Sequence, residues 1–150
     1  MEFAIERLVF VKKEMQSLLD LHWQLIALNK DKIKLNPNWN EYIKLDDAGI
    51  LKLFTARKNG NLVGYFAVTV STSLHYKDHI FATNDVIFIH PDHRDGSAGY
   101  KLLKYAEKEL KNMNVSLIMI NTKTHQPFDK LLERMGFNLI ERVYSKYIGK

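Results

Sequence analysis

Cysteine is absent from the 150 residues, which removes disulfides, thiolate zinc sites and cysteine nucleophiles together and permits a reducing compartment. Proline and glycine are scarce, at three and seven, so collagen-like, low-complexity and linker-rich organisation is excluded. No apolar run approaches the ~18 residues of a membrane span. The opening Met1-Glu2-Phe3-Ala4-Ile5-Glu6-Arg7 is acidic and lacks a signal-peptide apolar stretch, so a cytoplasmic protein away from membranes is expected. Internal repeats are also missing.

What is present is the composition of one folded domain, residues 1–150: 46% hydrophobic and 26% charged. Lysine and arginine outnumber aspartate and glutamate by 22 to 17, a formal charge of +5 that favours an anionic partner. The basic residues are scattered rather than clustered with aromatics, so nucleic acid is not expected. The six histidines lack His-Glu-x-x-His or other tight ligand spacing, so no metal is expected.

Near-helical recurrence of Met15, Leu18, Leu19, His22, Leu25 and Ile26 predicts an amphipathic helix over Lys12–Lys30. Asn38 or Asn40 is placed to cap a short second helix through Glu41, Tyr42 and Leu45. Leu51–Lys58 and Leu62–Leu74 read as antiparallel strands joined by Asn59-Gly60-Asn61, because Asn and Gly tolerate positive φ. A third strand is expected over Ile80–His90 and a helix from Tyr100 to Met113, with a lysine stripe opposite its apolar face. A buried strand at Val115–Asn121, a helix at Pro127–Met135 stopped by Gly136, and one long or two short strands in Phe137–Ile148 complete the expectation.

The chemistry is concentrated after the third strand. A strand entering a glycine-containing loop and then a helix aims main-chain N–H groups and the positive end of the helix dipole at one point, which suits phosphate. Gly96 and Gly99 would let the backbone approach an anion, Ser97 and Ala98 are small, and Arg94 can add a charged contact.

Ile87-Phe88-Ile89-His90-Pro91-Asp92-His93-Arg94 followed by Arg94-Asp95-Gly96-Ser97-Ala98-Gly99 resembles the central strand and pyrophosphate loop of the GNAT superfamily of N-acetyltransferases. Leu131-Leu132-Glu133-Arg134-Met135-Gly136-Phe137 is similar to that family's last helix and its Gly-Phe ending. The loop variant, Leu74-His75-Tyr76, Asn84-Asp85-Val86 and Val143-Tyr144-Ser145-Lys146 look like small stand-alone acetyltransferases of bacteriophages. The resemblance implies an α/β (α+β) GNAT fold, with a mixed, mostly antiparallel sheet whose central strands splay apart between helices. It implies acetyl-coenzyme A as cofactor, its diphosphate over Arg94, Asp95, Gly96, Ser97, Ala98, Gly99 and Tyr100. The pantetheine arm would pair along Ile87 and Ile89, with Phe88 or Ile89 giving an oxyanion N–H and Asn121 and Phe128 completing the cleft.

For the amine's proton, Asp85 is the candidate base, four residues before Ile89 and so expected on the same strand face. His75, His79 and His125 are possible relays. The family's usual acid, a tyrosine of the last helix, is matched here by Leu132, which leaves Tyr144, Tyr100, water or electrostatic help to meet the thiolate. Trp39, Tyr42, His75, Tyr76 and Asn84 are candidate acceptor-lining residues. The resemblance thus implies acetyl transfer to a primary amine of a small molecule or protein. The rival is a catalytically impaired member of the same shape that binds coenzyme A or an acidic macromolecule of a host. A homodimer through the C-terminal strands is compatible with either.

Overall fold

Asn59 and Gly60 take φ of 51° and 81°, the paired positive values of a tight hairpin turn. In the computed structural model, which describes residues 1–94 and 96–149, this turn joins strands β2 (Leu51–Lys58) and β3 (Asn61–Thr72). Around them lie β1 (Glu2–Ile5), helix α1 (Leu8–Ile26), α2 (Trp39–Asp47), β4 (Ile80–Ile89), α3 (Ala98–Asn112), β5 (Val115–Met119) and α4 (Asp129–Arg134), with a 3-10 turn at Pro91–His93. The sheet order is β1-β2-β3-β4-β5, antiparallel through β4, with β5 parallel to β4 after the crossover through α3. This is the mixed, helix-flanked sheet expected from the sequence.

Each sheet face buries one amphipathic set. Leu8, Val11, Met15, Leu18 and Leu19 of α1 pack on Leu51, Leu53, Tyr65, Ala67 and Phe88, with Trp39, Tyr42 and Ile43 of α2 at the margin. On the opposite face Ala98, Leu102, Leu103, Ala106 and Leu110 of α3, with Leu132 of α4, cover Phe54, Phe66, Val68, Ala82 and Ile89. Burial of each large side chain contributes about 1.5–3 kcal/mol.

Several boundaries differ from the sequence reading. β1, unanticipated because only three residues, Phe3-Ala4-Ile5, stand between the charged Glu2 and Glu6, pairs with β2 from Glu2↔Arg57 to Ile5↔Phe54. Helix α1 starts at Leu8 rather than Lys12 because a residue 38 positions away caps it: Asp46 Oδ2 accepts the Leu8 N–H at 2.9 Å and also the Arg7 Nε at 2.9 Å. It stops at Ile26, where Ala27 is extended (ψ 144°) and Asn29 takes φ 56°. Asn38, one of the two caps considered, caps α2 by accepting from Glu41 N–H at 3.2 Å.

The strand or strands expected in Phe137–Ile148 do not form. Leu139-Ile140 and Val143-Tyr144 are adjacent apolar pairs around Glu141-Arg142, so neither alternate set is consistently apolar and no register is favoured.

Candidate functional site

The two edges of β4 have different fates, and the site follows from that difference. Toward β3 it is paired along its length, whereas toward β5 it is paired only over Ile80–Thr83. At the next residue the strands part: Asn84 Oδ1 takes the Asn121 N–H at 2.8 Å, in place of a continued ladder.

His90 N–H bonds the Val63 carbonyl at 2.8 Å, which fixes the phase of the antiparallel ladder. Tyr65 and Phe88 are therefore the hydrogen-bonded pair, so Phe88 spends its N–H on β3. Ile87 and Ile89 direct their main-chain groups to the open edge. Of the two oxyanion donors considered from sequence, Phe88 is thus already engaged, and Ile89 stays available with Ile87. Arg94 bends back onto this edge, its Nε donating to the Ile89 carbonyl at 2.7 Å and its guanidinium lying 5.0 Å from the Phe88 ring.

Gly96 has φ +104°, and a Cβ added there would meet nothing within 4 Å. Its backbone therefore needs glycine, and the space beside it is open. Ser97 is the N-cap of α3 but its side chain makes no cap bond. The first-turn N–H groups, Ala98 to Tyr100, sit at the positive end of a helix of 15 residues. A Cβ added at Gly99 would lie 3.8 Å from Leu131 Cδ2, an ordinary contact on the α4 side. Asp95 lies outside the described residues. Exposed loop amides beside an unpaired strand edge can together hold a diphosphate joined to an amide-bearing arm.

The α1 face of the same strand carries the titratable groups. The β3–β4 register runs Ala67↔Val86 and then Val68↔Asn84, leaving Asp85 as the extra residue of a bulge. A bulge reverses the alternation. Asp85 therefore does not share the face of Ile89, as strand parity implied; it accepts a hydrogen bond from the Tyr42 hydroxyl of α2, whereas Ile89 belongs to the α3-side core. The Tyr42 phenol is pushed above its usual range, first by burial and then by the Asp85 carboxylate. Trp39 packs 5.7 Å from Tyr42, its indole N–H donating to Gln16 Oε1 at 2.8 Å.

Beside this pair is a group the sequence reading passed over. His22 of α1 lies flat on Phe88, 4.5 Å between ring centres and 11° between planes, with Nδ1 2.7 Å from the Tyr65 hydroxyl. Burial, then the charges of Arg94 and Lys123, lower its pKa to about 4; the Tyr65 phenol is raised, chiefly by burial. The available signal was a polar ring among the apolar positions of the first helix.

Since His22 titrates near 6.5 when unfolded and about 4 when folded, the unfolded chain binds the extra proton between those values. The His22 contribution to stability is thus present above pH 6.5 and lost as pH falls toward 4, by up to about 3 kcal/mol. Urea titrations at pH 7 and pH 4.5 should show a smaller loss in His22→Gln than in the unaltered protein. Equal losses would contradict the assignment.

A sequence model described as the acetyltransferase (GNAT) family matches residues 14–137. This chain belongs to the acetyltransferase (GNAT) family. No curated protein sequence matches it. Among solved structures, the ribosomal-protein-alanine N-acetyltransferase of Brucella melitensis biovar Abortus 2308 superposes with TM-score 0.74 at 22% identity, covering 99% of both chains. An aminoglycoside acetyltransferase from an uncultured soil metagenomic sample, in complex with sisomicin, gives 0.75 at 12% identity over 99% of this chain and 95% of that one. The aminoglycoside acetyltransferase AAC(6')-Iy, in complex with a bisubstrate analogue of coenzyme A, gives 0.68 at 15% identity over 97% and 96%. At these identities the likeness is one of fold.

In this GNAT acetyltransferase the remaining candidates scatter. Tyr144 is 87% exposed in the C-terminal segment. Leu132 is buried in the α3-side core. His75 and Tyr76 form a separate aromatic cluster with Phe81 in the turn before β4, and His79 Nδ1 lies 2.9 Å from Ser116 Oγ. Among the described residues, no hydrogen bond or ring contact joins His75 or Tyr76 to Tyr42 or Asp85. His125 donates Nε2–H to the Ile26 carbonyl at 2.8 Å, tying the loop after β5 to the end of α1. Tyr100 is 42% exposed on the first turn of α3, and Phe128 packs half-buried at the start of α4. Among the described residues no group of three or more acidic or histidine side chains is placed to hold a metal ion, and no helix is long and apolar enough to cross a membrane.

Proposed function

We propose that this GNAT acetyltransferase, read as a single domain over residues 1–150, moves an acetyl group from acetyl-coenzyme A to a primary amine by direct attack in a ternary complex. Coenzyme A supplies the acyl group as an activated thioester. The observation that carries the reading is the fork at Asn84: a strand edge unpaired beyond Thr83 leads toward the N-terminus of α3, where Ser97 makes no side-chain cap bond among the described residues. In this reading the amides of Gly96 to Tyr100 hold the diphosphate, and Ile87 and Ile89 pair with the arm. One of their N–H groups faces the oxygen that gains charge during attack.

Asp85, held by Tyr42, takes the amine's proton through a water and favours a cationic acceptor. The departing thiolate is met by water, since Leu132 has no proton to give. The acceptor is an amine of a small molecule or a protein, the two kinds named for the similar structures. In this reading the protein works in a host cytoplasm, a setting supported by the resemblance of the loop and of Asn84-Asp85-Val86 to phage acetyltransferases. The buried Leu132, 8% exposed, favours a second reading in which the cofactor binds without turnover.

Calorimetry with acetyl-coenzyme A, followed by a thiol-release assay over a panel of amines, tests both readings. Binding with release supports transfer, and binding without release on any amine leaves the second reading. Absence of binding removes both.

A further inference from the structure

Two cations reach His22. Arg94, its Nε bound to the Ile89 carbonyl at 2.7 Å, holds its guanidinium 5.0 Å from the centre of the Phe88 ring on which His22 stacks. The second is the exposed Lys123. Gln126 N–H bonds the Lys123 carbonyl at 3.1 Å and closes a short turn, whose His125 donates Nε2–H to the Ile26 carbonyl at 2.8 Å, one helical turn beyond His22. That turn carries Lys123 to the end of α1. Burial first, and then the charges of Arg94 and Lys123, hold His22 neutral.

The neutral ring still has a hydrogen to offer. Tyr65 is fully buried, and the acceptor for its hydroxyl among the described residues is His22 Nδ1, so the ring hydrogen sits on Nε2. Nε2 makes no hydrogen bond among the described residues, and none of their buried side-chain nitrogens or oxygens is left unpaired, so this N–H opens to solvent. A donor within reach of two cations suits an anion. Asp85 stands on the same side of the sheet, beside Tyr42 and three residues before Phe88, no more than about 10 Å along a strand.

We propose that the acceptor is a primary amine carrying a carboxylate or phosphate several bonds away, the amine meeting Asp85 and the anion held by His22 Nε2–H, Arg94 and Lys123. This deepens the acceptor site of the proposed function and rests on Asp85 receiving the amine. One acid and two cations on the same cleft select a zwitterion over a plain amine, and the positive side of the site repels acceptors that carry cationic groups alone.

Calorimetry tests this without turnover, on the full chain alone and saturated with coenzyme A, which has no acetyl group to give. γ-Aminobutyrate should bind about tenfold or more tightly than its amide, and phosphoethanolamine about tenfold or more tightly than ethanolamine; the tighter of the two anions tells carboxylate from phosphate. The His22 ring resonances should move with the anionic amines and stay with the neutral ones. Lys123→Glu should erase most of the preference without weakening the amide or ethanolamine. Lys108→Glu makes the same charge change on the exposed face of α3, across the sheet, and should leave the preference nearly intact. Equal affinities for charged and neutral amines, equal losses in the two lysine variants, or no binding of any of the four amines would overturn the proposal. Thiol release without an anion preference leaves acetyl transfer standing and removes the anion site, whereas preferential binding without release keeps the anion site and removes turnover.

Discussion

Asp85→Asn is expected to lower kcat/KM by about 10²–10³-fold for any amine that turns over, with the affinity for acetyl-coenzyme A unchanged. The argument rests on where the bulge puts the carboxylate. As the extra residue between Val68↔Asn84 and Ala67↔Val86, Asp85 leaves the ladder and meets the Tyr42 hydroxyl. Its position is one residue past the fork, beside the open edge of Ile87 and Ile89 but on the other face. A carboxylate there can receive a proton through water while the cofactor occupies the edge. An asparagine keeps the shape and the Tyr42 bond but cannot take the proton. Tyr42→Phe should cost less, about tenfold, because it frees the carboxylate without removing it. The double variant should match Asp85→Asn alone, since Tyr42 acts only through Asp85. Full activity in Asp85→Asn, or additive losses, would show that the proton leaves by another route.

The fold was readable where local chemistry decides it. Asn59-Gly60 specified the hairpin, the apolar stripe Leu102, Leu103, Ala106 and Leu110 specified α3, and Gly136 at φ +90° specified the stop of α4. What could not be read depended on residues far apart in sequence. The early start of α1 needs Asp46, and β1 exists only because Phe3 and Ile5 find partners on β2. The site divides in the same way. Gly96, Ser97 and the Ile87–Ile89 edge stand in one continuous segment, so the sequence alone can group them as candidates. The Asp85–Tyr42 contact was missed because its two residues were assigned separate roles, and His22 because its partner Tyr65 is 43 residues away. The bulge did leave a trace: Thr83-Asn84-Asp85 are three consecutive polar residues between the apolar stretches Ile80–Ala82 and Val86–Ile89, which breaks strict alternation. Counting faces across that stretch without a bulge put Asp85 on the wrong side of the strand.

Ser97→Asp should move stability and cofactor affinity in opposite directions. Ser97 occupies the N-cap of α3 without making a side-chain cap bond, so the first-turn amides are left for a ligand. A carboxylate at this position interacts favourably with the positive helix end, by about 0.3–1 kcal/mol, which for a domain of this size raises Tm by roughly 1–4 °C. The same charge lies where the diphosphate of coenzyme A is proposed to bind. Repulsion between charges a few ångströms apart in a partly screened site amounts to a few kcal/mol, so the affinity should fall about 10–100-fold or more. Ser97→Ala should change neither quantity much, because the side chain holds nothing that the main chain does not. Thermal unfolding and calorimetry on the three proteins therefore separate a binding loop made of backbone from one made of side chains. If Ser97→Ala alone abolished binding, or Ser97→Asp bound coenzyme A as tightly as the unaltered chain, the diphosphate would not lie on the amides of α3.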